Sequence, residues 1–342
     1  MTLPASSPPG VRSRDYAVLS QTIRQAGLLR RRYWYYGVKI VANVLVFAAG
    51  WVLFVRLGDS WWQLFLAAFF AVMFAQLAFM GHDAGHKQIL RTHRANDVIG
   101  YIHGGMVGLS YGWWMDQHTR HHANPNQEQD DPDIHIPALA FTEEQSAGKR
   151  GFLRWVARYQ AFLFFPLLLL EGLSLHVSSV QTLWRPRLRA RKTEAILLAA
   201  HFAAYLTVVF LVLSPLTAVV FILVHQCLWG VYMGCSFAPG HKGMPILPRG
   251  HSLDFLRRQV LTSRNVRGGV WVDFVLGGLN YQIEHHLFPT MPRPSLRRAQ
   301  PVVRAFCAQR DIEYAQCSWP RTYGYVLQHL HAVGAPLRAA KR

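Results

Sequence analysis

A chain of 342 residues has the length for two soluble domains, but 51% hydrophobic residues against 16% charged ones point to one integral membrane domain. The formal charge of +18 would suit nucleic acid, yet the basic residues sit in runs beside apolar segments and form no nucleic-acid-binding module, which excludes that partner. They read as cytoplasmic-side anchors beside anionic membrane lipid. Cys227, Cys235, Cys307 and Cys317 include no CxxC pair and lie outside the histidine-rich segments. That argues against a zinc ribbon or an iron–sulfur cluster and for thiols in a reducing compartment.

Residues 1–32 are expected to be a cytoplasmic N-terminal segment, because Met1 to Gly10 is polar and lacks the apolar core of a secretory signal. Residues 33–342 then read as one membrane domain. Stretches 37–56 and 61–80 are each long enough to cross about 30 Å of hydrocarbon as helix. The link between them, Arg56 to Ser60, allows only a tight hairpin. A second pair, 195–213 and 216–235, is joined through Ser214 and Pro215 in the same way. Arg12, Arg14, Arg24, Arg30, Arg31 and Arg32 precede the first pair, and Arg185, Arg187, Arg189, Arg191 and Lys192 the second. Both termini are therefore expected on the cytoplasmic side. The apolar run 161–170 is short and followed by Glu171 and His176, so an interfacial helix is expected there rather than a fifth crossing. The predicted fold is all-α and integral to the membrane, with four transmembrane helices in two hairpins and a cytoplasmic helical cap.

Three histidine clusters fall on that cap side. In Gly81-His82-Asp83-Ala84-Gly85-His86 the two imidazoles project from one helical face, one turn apart, as two ligands of one metal require. Asp83 is placed to accept the spare N–H of a ligand histidine. An isolated HxxxH serves as often as a pair of solvated or core histidines. In His118-Thr119-Arg120-His121-His122 three imidazoles share one helical turn, a density that packing alone does not explain and metal binding does. Gln282-Ile283-Glu284-His285-His286 repeats the spacing with glutamine first. Gln282 is a poor metal ligand, expected to hydrogen-bond a metal-bound water or a neighbouring ligand, and Glu284 is either an outer acceptor or a solvated group. These seven histidines are too many for one ion, so two are expected, of iron, zinc or copper rather than magnesium or calcium.

The motifs HDAGH, HTRHH and QIEHH resemble the three histidine boxes of membrane fatty-acid desaturases, and the glutamine-led third box, within GGLNYQIEHHLFP (277–289), resembles the front-end branch of that family. WWMDQHTRHHANPN (113–126) and DPDI (131–134) are similar to segments of the same family. The resemblance, over about residues 15–305, implies a non-haem di-iron centre with O2 as co-substrate and an acyl tunnel among the transmembrane helices. It implies insertion of a carbon–carbon double bond into a fatty acyl chain carried as acyl-CoA or acyl-lipid. It also implies a further histidine between the last crossing and the third box. His241 fills that place, preceded by Gly240 where the family commonly has asparagine. The implied iron ligands are His82, His86, His118, His121, His122, His241, His285 and His286, with Asp83 and Gln282 in support. Neither the HPGG motif of a fused cytochrome b5 domain nor a GxGxxG dinucleotide fingerprint occurs. Electrons are thus expected from a separate ferredoxin or cytochrome b5 with its reductase. Only six of the 36 lysines and arginines are lysine, in keeping with a high-GC bacterium and a place in its cytoplasmic membrane.

Hydroxylation or acetylenation of an acyl chain on the same scaffold and a zinc-dependent membrane lipid hydrolase are the competing readings. His93, His103, His135, His176, His201, His251, His329 and His331 are expected to be polar surface or core residues. His225 falls within a crossing and is expected to line the bundle as a hydrogen-bonded neutral imidazole. Trp113 and Trp114 are expected to be interfacial anchors.

Overall fold

The computed structural model describes residues 9–186, 188–251 and 253–339. The lead-in at 1–8, the side chain of Arg12, and Arg187 of the second basic run lie outside the described residues. Among the described residues, regular structure is helical except for two short strands. In chain order the elements are α1 (Pro9–Gln25), α2 (Tyr33–Leu57), α3 (Gln63–Gly85), α4 (His93–Val107), α5 (Tyr111–Ala123), α6 (Glu143–Gly148), α7 (Gly151–Leu168), α8 (Glu171–Gln181), α9 (Arg191–Val212) and α10 (Pro215–His241). Then come α11 (Phe255–Leu261), β1 (Asn265–Arg267), α12 (Val270–Val275), α13 (Gln282–Leu287), α14 (Arg293–Ala308), β2 (Gln316–Ser318), α15 (Trp319–Val333) and α16 (Ala335–Ala339).

Helices α2, α3, α9 and α10 are long and apolar enough to cross a bilayer, so the chain is an integral membrane protein. The four expected stretches lie on them, but α3 continues to Gly85 and α10 to His241. Hydropathy marks only the apolar part of a helix, while the backbone ladder runs on into polar residues. The 161–170 run is not one straight crossing. It ends α7 at Leu168, and after Leu169 and Leu170 the chain sets off again as α8, bent by 81°. Pro166, in the last turn of α7, supplies no N–H to that ladder.

The chain forms two compact units. One comprises residues 31–116 and 165–235. Its core joins Phe54, Phe70, Tyr205, Val209 and Phe221 from α2, α3, α9 and α10. The Gln63 side chain donates to the carbonyls of Phe54 (2.8 Å) and Gly58 (2.9 Å), which closes the short link between α2 and α3 on otherwise unpaired helix-end carbonyls. Ser214, in the link between α9 and α10, donates to Asp59 at 3.2 Å, so the two short links lie side by side.

The other unit comprises residues up to 30, 117–164 and from 236 onward. Here α1, α11, α13 and α14 pack Leu19, Ile23, Val260, Ile283, Leu287 and Val303 into one core. Each such side chain, once buried, contributes about 1.5–3 kcal/mol. Asp15 fastens α1 to this core through Arg257 (3.1 Å) and Arg310 (3.0 Å). The strands β1 and β2 pair in parallel, Asn265 with Gln316 through Arg267 with Ser318. At the end of α10, Arg264 donates to the carbonyls of Pro239 (3.0 and 2.8 Å) and Lys242 (2.8 Å), a cation on helix-end carbonyls that fixes the turn carrying His241.

Candidate metal centre

In the membrane-helix unit, His82 and His86 project from the last turn of α3 and its cap with ring centroids 4.7 Å apart, as the i, i+4 spacing requires. Asp83 Oδ1 lies 3.3 Å from His82 Nδ1. Trp114, expected as an interfacial anchor, packs its ring 5.6 Å from His82 and lies against Gly85, where any Cβ would come within 2.4 Å of it. Glycine at 85 thus lets the indole close over the first box.

The other unit gathers six of the expected ligands from three elements. His118, His121 and His122 come from the end of α5, His241 from the end of α10, and His285 and His286 from α13. Their rings are close: His118 to His122 4.5 Å, His122 to His285 4.7 Å, and His122 to His286 4.1 Å, nearly parallel. His121, His241 and His286 form a tighter group, with centroids 4.5 to 5.0 Å apart and one nitrogen of each within 4.8 Å of the others.

What the outer nitrogens touch decides what the inner ones offer. His121 Nδ1 lies 3.0 Å from both oxygens of the buried Asp131. His241 Nδ1 lies 3.0 Å from the carbonyl of Thr262, which only accepts, so this nitrogen carries the proton. His286 Nδ1 lies 2.9 Å from Gln259 Oε1. Gln259 Nε2 donates to the carbonyl of His122 at 2.9 Å, which fixes the amide orientation and makes Nδ1 the donor here too. All three Nε2 atoms then turn lone pairs inward. His121 Nε2 and His241 Nε2 are 3.3 Å apart, and His286 Nε2 is buried with no hydrogen-bond partner among the described residues.

Lone pairs facing one another in a buried site repel, and a cation between them removes the conflict. Metal–nitrogen bonds of about 2.0–2.1 Å give a tetrahedral edge of about 3.3–3.4 Å, which the His121–His241 separation matches. The residues therefore fit a nitrogen-ligated transition metal, as the sequence predicts. Electrostatics agree at His286 but not at His121. Burial, then the neighbouring histidines, hold His286 well below its usual pKa, keeping it neutral as a ligand must be. Burial opposes charge on His121, but Asp133 and Asp131 outweigh it and raise its pKa. Asp131 is lowered in turn: burial would raise it, and His121 beside it prevails.

Gln282 Nε2 sits 2.8 Å from His241 Nε2 and donates to its lone pair, so Gln282 and a metal compete for that nitrogen. A Cβ at position 240 would come within 2.9 Å of Gln282 Cγ, so Gly240 leaves the room that Gln282 occupies. Glu284 is not solvated, and its partners are not the expected ligands. It is fully buried and takes hydrogen bonds from Tyr314 (2.7 Å) and Asn265 (2.7 Å), with its carboxyl pushed up to about 7 by burial.

Other histidines bond elsewhere through one ring nitrogen: His103 to Ile99 O (2.9 Å), His176 to Gly108 O (2.9 Å), and His329 to Phe141 O (3.0 Å). His225 pairs with Tyr205 OH at 2.8 Å inside the bundle, as expected. Sequence reasoning missed Asp131, Gln259, Thr262, Asn265 and Tyr314. Asp131 had a usable signal, an acidic segment DPDI just beyond the second box. The others come from elements that only the fold brings alongside.

A model of the fatty acid desaturase family matches residues 59–318. The acyl-lipid (9-3)-desaturase of Physcomitrium patens is 30% identical over 320 residues, covering 89% of this chain and 60% of that protein. The Delta 8-(E)-sphingolipid desaturase of Lachancea kluyveri is 28% identical over 343 residues, 94% of this chain and 60% of its own. Fatty acid desaturase 3 of Bos taurus is 30% identical over 319 residues, 88% and 68% respectively. The chain spans about 60% of the length of the first two relatives. This chain belongs to the fatty acid desaturase family, with a third box of the front-end type.

Proposed function

We propose that this member of the family is an oxygen-dependent fatty acyl desaturase, acting on an acyl chain carried as acyl-CoA or acyl-lipid through two irons. The eight ligands we propose are His82, His86, His118, His121, His122, His241, His285 and His286. The observation that carries the reading is the convergence of three Nε2 lone pairs, each fixed by an acceptor on its own Nδ1. Two irons, when bound, supply the O2-derived oxidising power that removing hydrogen from an unactivated methylene demands and that side-chain acid–base chemistry lacks.

The protein's own work is placement and protection. Asp131, Thr262 and Gln259 hold the outer protons of His121, His241 and His286, so those rings neither rotate nor change tautomer. Burial of His121, His285 and His286 keeps bulk water from the inner nitrogens. A cavity of about 320 Å³ at mid-length of α2, α3 and α9, walled by Phe47, Trp51, Phe74, His201, Tyr205 and Val208, supports an acyl substrate. Its volume lies in the range of small-molecule sites, and its aromatic walls suit a methylene chain held in one conformation. Adjacent short links support two hairpins that start and finish on one side, and the flanking arginines make that side cytoplasmic. In this reading residues 33–342 are the desaturase domain, residues 1–32 a cytoplasmic lead-in, and the electron donor a separate ferredoxin or cytochrome b5 with its reductase.

The test is expression of the full chain in a host with a simple fatty-acid profile, followed by double-bond mapping of new products with and without oxygen. A new alkene that requires O2 and disappears in His121→Ala is expected. A hydroxylated product without an alkene would make the chain a hydroxylase, and oxygen-independent lipid cleavage supported by zinc would make it a hydrolase.

A further inference from the structure

Just ahead of the third box lies a segment that the metal site does not use. Helix α12 leaves Val270 68% exposed, Trp271 81% and Phe274 43%, at i, i+1 and i+4, so the three form one apolar face. Asp273, its charged residue, is turned inward: Oδ1 accepts from Asn280 Nδ2 at 2.8 Å, and Oδ2 lies 3.8 Å from Arg297 on α14. Val272 is seated over Gly268, where a Cβ would come within 2.3 Å of it. On the other side Gly277 and Gly278 take φ of 59° and 81°, a tight turn that leads through residues 279–281 into Gln282.

A tryptophan that exposed, flanked by valine and phenylalanine and with no charged group on the face, needs an apolar phase to cover it. The chain spans a bilayer, so hydrocarbon and headgroups are at hand, and tryptophan is the residue favoured at that boundary.

We propose that α12 is a lipid-facing helix. Val270, Trp271 and Phe274 enter the acyl boundary of the bilayer, and Arg297 stands at the level of the anionic headgroups. The glycine turn then holds the start of the third box at the membrane surface. On the desaturase reading above, that is where an acyl chain leaves the lipid, although the lipid contact itself requires no activity.

The test places a nitroxide label at Trp271→Cys or Val270→Cys in the full chain. The four native cysteines are replaced, the fold is checked by circular dichroism, and the protein is held in phosphatidylcholine–phosphatidylglycerol nanodiscs. Arg304→Cys, on the exposed face of α14, is the reference. Collision with O2, which concentrates in lipid, is compared with collision with a water-soluble nickel chelate. The expected ratio of oxygen to nickel accessibility is several-fold higher at 270 and 271 than at 304. A ratio equal to that at 304 puts α12 in water and overturns the proposal. Low accessibility to both reagents also overturns it, because a second copy or another protein then covers the face. Two positions are used so that failure of one variant to fold leaves the other to decide. Desaturation is not read, so this outcome is independent of the proposed activity.

Discussion

Replacing Gln259 by methionine keeps the length and shape of the side chain and removes both of its hydrogen bonds. In the native chain Oε1 accepts from His286 Nδ1 and Nε2 donates to the His122 carbonyl, each at 2.9 Å and both buried. Methionine leaves one buried N–H and one buried C=O without these partners. Such groups cost about 1–3 kcal/mol each when orphaned. The effect specific to metal is separable from that cost, because His286 loses the acceptor that fixes its proton on Nδ1. Loss of a comparable outer partner weakens metal binding by about 10- to 100-fold, about 1.4–2.7 kcal/mol. Competition of purified protein in nanodiscs with a graded series of Fe(II) chelators measures the loss. Gln259→Glu is the control: its carboxylate still accepts from His286, so metal is retained while the carbonyl contact to His122 is lost. Native metal affinity in Gln259→Met, with the fold intact, would refute the tautomer argument.

Asp131→Asn preserves an acceptor for His121 but removes the charge, and Asp131→Ala removes both; metal affinity should fall in that order, with about 10- to 100-fold lost in the alanine variant. Equal affinities by chelator competition would show that Asp131 serves only the backbone N–H groups of Asn126 (2.7 Å) and Asp133 (2.9 Å), from which it also accepts. In Gly240→Ala the new methyl group presses on Gln282, so the visible spectrum of the cobalt-substituted protein should shift without loss of cobalt; an unchanged spectrum contradicts the packing argument. Glu284 has its folded pKa raised from 4.5 to about 7, so its contribution favours the folded chain below about pH 4.5 and is lost as pH rises through about 7. Glu284→Gln should flatten that part of the stability profile in thermal unfolding, and an unaltered profile would disprove the burial effect.

The membrane helices and the histidine boxes were legible because both are local patterns: about twenty apolar residues suffice for a crossing, and i, i+3, i+4 spacing suffices to align imidazoles. Helix ends were less legible, since α10 runs past the apolar stretch and carries His241 on its last turn. The acceptors that hold the proposed ligands were invisible for a different reason. Gln259 and Thr262 are unremarkable residues of a short helix and its cap, and only tertiary packing sets α11 beside α13. Glu284 was ambiguous because its neighbours in sequence are ligands, whereas its partners Asn265 and Tyr314 come from near the two strands.

The claim on which the rest depends is a histidine-held pair of irons. The direct measurement is metal content and Mössbauer spectroscopy of the full chain purified with iron-57 from iron-replete cells, beside His241→Ala and His86→Ala. The account predicts two irons per chain in a nitrogen-rich environment, with iron lost from each variant. Zinc in place of iron, or a single ion unaffected by either substitution, would contradict it.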